Sequence, residues 1–294
     1  MLESLFRKRA LGDPIHLRKW ASRFNNSPTS QRYLRNTQIS AEFFCNIILS
    51  GGVRTFSDYL ELLRQLHLLT TKNLNSVAIA DYDPQSKFPE FFVFELFKLG
   101  GEKAKFASGT IQFDKPLQQN VSTQVNLHIR QQPTPSKIKL HLGFDGQIYR
   151  PEICIRKTRT GAPWFRSSCG RKLIVTPGGC FALNPISLSF NLALLKKSFR
   201  AFCKAIQNLG ATNNQHFVKL LANYYKCLAV AHPFISQNNS VAMNQINCLL
   251  FLTQDCYVPH GVLDDMAFFL EEEDFARLFE RYVRRHAIPA KFQG

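Results

Sequence analysis

Nowhere does this sequence hold the roughly 18 consecutive apolar residues of a membrane-spanning helix. Its first twenty residues, MLESLFRKRALGDPIHLRKW, contain no uninterrupted apolar stretch of signal-peptide length. Both absences predict a soluble chain. Eight cysteines stand at 45, 154, 169, 180, 203, 227, 248 and 256, but none forms a C-x-x-C pair or a zinc spacing. That argues against a zinc site or disulfide framework and predicts reduced core thiols in a cytosolic setting. Internal repeats and long low-complexity runs are missing. So are an RNA-binding aromatic signature, a zinc finger and a helix-turn-helix cue, and no nucleic-acid partner is expected.

Acids are scarce: 21 Asp and Glu face 37 Lys and Arg, a net charge of +16. The excess is local. Residues 1–40 hold eight basic side chains against two acids and residues 128–172 hold ten against two, so these segments carry fourteen of the sixteen net charges. Such patches suit phosphate-rich partners, meaning a nucleotide, a nucleic acid or a peripheral anionic membrane surface. A merely soluble, strongly charged surface is the plain alternative.

The chain of 294 residues, 45% hydrophobic and 20% charged, has the composition of a folded protein. It can bury one large core or a main domain with a smaller companion. NNSPTSQ at 25–31 reads as a loop and QQPTPS at 131–136 as a turn-rich connector. Between them Phe56, Tyr59, Leu60, Leu62, Leu63 and Leu66 recur at helical spacing. The stretch FPEFFVFELFKLGG fits no period. Val125, Leu127 and Ile129 alternate with polar residues, as do Ile138, Leu140, Leu142 and Phe144, which predicts two paired strands. GQIYRPEICIRK (146–157) adds a glycine turn and a short strand around Ile153 and Ile155.

From 184 onward the pattern is helical. Asn184 and Pro185 make a cap-then-proline start for Leu188, Leu192, Leu195, Phe199, Phe202, Ile206 and Leu209, closed by Gly210. A second helix runs through Phe217, Leu221, Tyr224 and Leu228 to His232, a third begins near Ser240, and VLDDMAFFL and FARLFERYVRR supply two more. The fold class expected is mainly α with a small β flap or hairpin. Residues 1–120 form an N-terminal helical region of unassigned role, and 121–294 a second domain with β flap (121–180) and helical core (184–286).

LAVAHPFISQNNSVAMNQINCLL, residues 228–250, carries the chemistry. A helix that ends and is followed at once by another presents the new helix's unsatisfied N–H groups to the loop between them. Asn238, Asn239 and Ser240 suit a concave backbone nest there, which with the helix dipole favours a phosphate. A histidine at its rim, His232, can serve as general base toward a hydroxyl. The plainer reading makes His232 a helix-end residue, Phe234 a core plug, and Asn239 or Ser240 an N-cap.

This stretch resembles the central motif of the Fic (Fido) family, H-P-F-x-[D/E]-G-N-G-R-x-x-R, with HPF at 232–234 and Asn238 on the family's asparagine. GQIYRPEICI is similar to the family's flap strand, and the resemblance covers roughly residues 140 to 285. It implies a Fic-like helical core in which His232 deprotonates a hydroxyl of a target protein, so that a nucleoside monophosphate, AMP above all, is transferred to it. ATP or another nucleotide is the implied co-substrate and Mg2+ the implied metal. Phe234 would anchor the loop, while Asn238, Asn239, Ser240 and Asn244 would meet the nucleotide. Tyr149, Arg150 and Ile153 on the flap would bind the target by strand addition.

Several positions depart from the motif. The acidic magnesium ligand falls on Ser236, the glycines on Gln237 and Asn239, and the arginines on Ser240 and Met243. Serine brings no carboxylate to a hard cation, and neither serine nor methionine grips a phosphate as arginine does. A replacement arginine can come from the basic segment Arg150–Lys172, and Asn244 and Asn247 lie one helical turn apart. Asp264 is a candidate for a migrated metal ligand, although acids at 264 and 265 also suit a helix start. The run Glu271–Asp274 resembles the glutamate-rich block near the end of type IV secretion effectors, which implies a protein held in a bacterial cytoplasm before secretion and acting in the host cytosol. The family's inhibitory S/T-x-x-x-E-G-N helix has no match. Two functions lead, a host-directed nucleotidyl transferase or a catalytically silent Fic-like module that binds a partner or anionic surface through its basic face; a third, a basic nucleic-acid binder, would show steep salt dependence of binding to any duplex.

Overall fold

The computed structural model describes residues 28–71, 110–111, 115–175, 181–183, 188–210, 214–231, 233–234, 238–258 and 263–289. The protein is mainly helical with small sheets. Among the described residues two helices come first, α1 (Pro28–Leu49) and α2 (Phe56–Thr71). The loop expected over 25–31 is corrected from Pro28 onward, because a proline opening a helix lacks only an N–H that has no partner there. Helix α2 starts on a reciprocal cap: Asp58 Oδ2 accepts from the Thr55 and Arg54 amides at 2.8 and 3.0 Å, and Thr55 Oγ1 accepts from the Asp58 amide. Those amide bonds hold the Asp58 carboxyl below its ordinary range. The stretch FPEFFVFELFKLGG lies outside the described residues.

A second correction falls at 125–129. Lys115–Gln131 is a helix, α3, not a strand. Leu117, Val121 and Val125 are buried and Ile129 packs beside them, a stripe of period four, while Leu127 is 51% exposed. Alternation over five residues and a four-residue period share Val125 and Ile129; only the longer window separates them. The helix also runs across residue 120, the expected domain boundary.

The β elements follow. A six-stranded antiparallel sheet has the order β1-β8-β7-β6-β5-β2, from β1 (Thr110–Ile111), β2 (Ser136–Lys139), β5 (Glu152–Lys157), β6 (Pro163–Arg166), β7 (Lys172–Val175) and β8 (Phe181–Leu183). Between β2 and β5 a separate hairpin, β3 (Leu142–Phe144) and β4 (Gln147–Tyr149), turns at Asp145 and Gly146, both at positive φ (51° and 72°). That is the Asp-Gly geometry of a tight hairpin. Ile153, Ile155, Phe165, Leu173 and Val175 are buried on the sheet's inner face.

Five further helices follow among the described residues: α4 (Leu188–Gln207), α5 (Asn214–Ala231), α6 (Asn238–Gln254), α7 (Leu263–Phe269) and α8 (Glu272–His286), with a short β9–β10 pair (Cys256–Tyr257 and Ile288–Pro289). Expected start residues Asn184 and Pro185 lie outside the described residues. Every residue from Val241 to Leu250 is buried, so α6 is a central helix enclosed on all sides rather than an amphipathic one. The N-terminal helices belong to the same core. Tyr59 of α2 shares a 2.7 Å hydrogen bond with Ser198 of α4, and its hydroxyl donates to that of Tyr224 on α5 at 3.5 Å. Seven described cysteines are free, four of them buried. No helix among the described residues is long and apolar enough to cross a membrane.

Candidate functional site

The motif connects α5 to α6. His232, Ser236 and Gln237 lie outside the described residues, as does the Asn239 side chain; what flanks them is well defined. Asn238, the first residue of α6, is buried, and its amide grips the backbone of Phe234 from both sides. Its Oδ1 accepts from the Phe234 N–H at 2.8 Å and its Nδ2 donates to the Phe234 carbonyl at 2.8 Å. The result is a closed ring that fixes the loop and begins the helix. Phe234 is 1% exposed, and the His67 ring of α2 stacks on it with centroids 4.2 Å apart and an interplanar angle of 11°. Phe234 is thus packed in the core, with α2 against it through His67.

Three further polar side chains of α6 are likewise engaged within the core. Asn244 donates to the Thr37 carbonyl of α1 at 3.2 Å. Asn247 clamps Val258, donating to its carbonyl at 3.0 Å and accepting from its N–H at 2.9 Å. Gln245 accepts from the Tyr224 hydroxyl at 2.6 Å. Ser240 is half-buried and Met243 is 3% exposed. A helix buried on all sides must satisfy its polar groups internally. Asn238 and Asn244 thus sit on one helix but hold different partners, the loop for one and α1 for the other.

Two buried cations went unread in the sequence. Arg171, at the start of β7, sends Nη2 to the Ala231 carbonyl at 2.5 Å, one residue before His232. It closes the C-terminal end of α5, where carbonyls lack helical partners and the dipole is negative. Burial pulls its pKa down to about 10. This is the one arginine of the basic Arg150–Lys172 segment that the described contacts bring to the motif. Lys226 of α5 donates to Ser168 Oγ at 3.0 Å, to the Ala267 carbonyl at 2.7 Å and to the Leu270 carbonyl, joining the sheet's loop to the end of α7. Burial lowers its pKa. It lines a cavity of about 50 Å³ with Cys169, Lys197, Cys227 and Glu272. No periodic signal separates such a lysine from a solvated one; only its place among apolar helix positions hints at it.

The flap residues separate. Ile153 points into the core, 5% exposed, on β5, which is paired on both edges by β2 and β6 and has no free edge to offer a target strand. Tyr149 ends β4 and accepts a hydrogen bond from Arg281 of α8, while Arg150 is exposed. The hairpin is pinned by Asp145, whose Oδ1 lies 2.8 Å from His286 Nε2 and 3.4 Å from Arg285.

Asp264 and Asp265 are both buried in the first turn of the seven-residue α7. Burial first, then these two carboxylates, pushes the Tyr225 phenol up. Among the described residues no group of three or more His, Cys, Asp or Glu side chains could hold a metal ion. Serine at the matched ligand position brings no carboxylate to a cation, and among the described residues Asp264 and Asp265 have no third such ligand beside them.

The sheet's outer face is of different character. Registered pairs put Arg156, Trp164 and Ile174 in one cross-strand row, with Arg166 opposite Lys172 and Lys137 opposite Cys154 in the next. Lys172 Nζ lies 4.4 Å from the Trp164 ring centroid and Arg156 Cζ 5.7 Å from it. Arg156, Arg166 and Lys137 are exposed and Trp164 is half-buried. The strand Pro163–Arg166 was unread in the sequence. Glycines at positive φ on either side, 161 and 170, are the turn signals that mark it.

No protein-family model matches the sequence, and no curated protein matches it.

Proposed function

We propose that this protein is a binding module: the helical core is a rigid scaffold, and the basic outer face of its sheet engages an anionic partner. The observation that carries this reading is Trp164 with Arg156 beside it in one cross-strand row and Lys172 over its ring from the next. A half-buried aromatic ring bordered by cations has the composition of a contact surface rather than of an inert sheet face. The motif loop supports the same reading from the other side. Asn238, Asn244 and Asn247 are occupied in holding backbone, and Ser240 and Met243 stand where a transferase would need phosphate-gripping arginines.

A second reading rests on His232 in the H-P-F-x-x-x-N frame, with the clamped Phe234–Asn238 loop behind it. In that reading His232 takes the proton of a target hydroxyl that attacks a nucleotide phosphate, with ATP or another nucleotide as co-substrate. The product is a target protein of a host cell carrying AMP, made by an effector that leaves a bacterial cytoplasm. Incubating purified protein and host-cell lysate with each labelled nucleoside triphosphate, beside His232→Ala, separates the two. No label above the variant is the expected result, and a label that vanishes with His232→Ala would replace the binding module by the transferase.

A further inference from the structure

We infer that the outer sheet face docks on an anionic phospholipid bilayer, with Trp164 as its interfacial anchor. This inference rests on the binding-module reading and names its partner. The face is almost single-signed: Lys137, Lys139, Arg156, Arg166 and Lys172 point outward by register, Glu152 is the one acid among its described residues, and Glu152 is paired with Lys137 at 2.8 Å. At its centre lie the half-buried Trp164, Ile174 and Cys154, an apolar spot inside a ring of cations. The arrangement matches the chemistry of a bilayer surface, where tryptophan rings sit at headgroup depth and lysines and arginines meet lipid phosphates.

Single-stranded nucleic acid is the competing polyanion, and the geometry of the ring disfavours it. Base stacking needs an open aromatic face, commonly on more than one ring. Here the lone tryptophan already carries Lys172 and Arg156 over its ring, so a base would have to displace a cation that also neutralises phosphate. A bilayer makes no such demand: the ring inserts edgewise while the cations remain beside it. The inner face cannot compete for this role, because Ile155, Phe165 and Leu173 are fully buried against the helices. Neither can the hairpin β3–β4 supply the anchor, since its exposed Ile148 stands on a separate sheet held to α8 by Asp145.

The test uses the full chain in a Trp20→Phe background, which leaves Trp164 as the sole tryptophan. Vesicles of phosphatidylcholine alone, and of phosphatidylcholine mixed with phosphatidylserine, are sedimented with the protein while Trp164 fluorescence is followed. The expected result is co-sedimentation and a blue shift with the mixed vesicles only. Replacing Arg156 and Lys172 together by glutamine should lower the partition coefficient about thirtyfold, from roughly 1 kcal/mol for each cation at an anionic surface. Replacing Arg200 and Lys204, exposed on α4, should lower it less than about threefold, because those charges lie off the face. Equal losses from the two pairs would overturn the inference in favour of net charge alone. Failure to bind mixed vesicles, together with binding of a single-stranded RNA homopolymer that the Arg156/Lys172 pair abolishes, would overturn the lipid assignment and leave the binding face standing. Binding of neither polyanion would overturn both. Unchanged far-ultraviolet circular dichroism in each variant keeps the comparison one of surface charge.

Discussion

A single amide side chain decides how the motif loop is used. Asn238 gives one acceptor and one donor to Phe234, so Asn238→Ala strands two buried backbone groups and removes the start of α6. The expected cost is about 2–3 kcal/mol, read as a lower urea midpoint with an unchanged denaturant slope. Asn238→Asp keeps the acceptor and loses the donor, and should fall between wild type and Asn238→Ala. Lys226 offers a second check. Lys226→Met leaves Ser168 and the Ala267 and Leu270 carbonyls without their cation, and should cost on the order of 3 kcal/mol in the same denaturation measurement. Asn238 itself was legible in the sequence as a motif position. Its partner was not, because an asparagine at a helix start can serve a ligand, a cap or a neighbouring turn with the same atoms.

At the scale of an element, α3 shows why short windows mislead. Val125 and Ile129 satisfy both a strand and a helix; Leu117 and Val121 break the tie, because a strand would turn Leu127 to the same side as Val125. Two substitutions test the assignment by thermal or chemical denaturation. Val125→Ala should cost about 2 kcal/mol, for a buried branched side chain reduced to one methyl. Leu127→Glu, at a position 51% exposed, should stay within about 0.5 kcal/mol of wild type. Comparable large losses from both would restore the alternation and with it a strand. The later helices were read closely from their periods, since α4, α5 and α8 each present an apolar stripe to one core. Helix α6 was located by its start near Ser240, yet its full burial was invisible, because a run such as Met243 to Leu250 is compatible with one covered face or with all of them.

The whole molecule carries a pH signature of its core. Buried Tyr59, Tyr224 and Tyr225 have phenols pushed above their ordinary value of 10, and burial raises Cys227 to about 11 and Cys203 and Cys256 above 9. These groups keep their protons in the folded chain and release them on unfolding. Their contribution is intact below the unfolded values and is lost as pH rises through them, from about 9 for the thiols and about 10 for the phenols. Lys226 and Arg171 have the opposite sign, since their folded values are lowered and the unfolded chain holds the proton longer. Two such groups oppose six, so the urea midpoint should fall steadily between pH 8.5 and 10.5. Tyr59→Phe should flatten the fall above pH 10 while losing the bond to Ser198, and a midpoint independent of pH over that interval would show that the phenols are hydrated in the folded chain.

What the sequence determined by itself was the mainly helical class, the helix spacing from 188 onward, the basic character of 128–172 and the frame His232-Pro233-Phe234 with Asn238. Each of these is a property of neighbouring residues, and periodicity or composition states it directly. Tertiary structure alone decided the partners. Arg171 reaches Ala231 across sixty residues, His67 stacks on Phe234, Asn244 holds Thr37, and Arg156, Trp164 and Lys172 meet across three strands. Such contacts are chosen by chain topology and by the need to satisfy every buried polar group, and neither quantity is written in any local window.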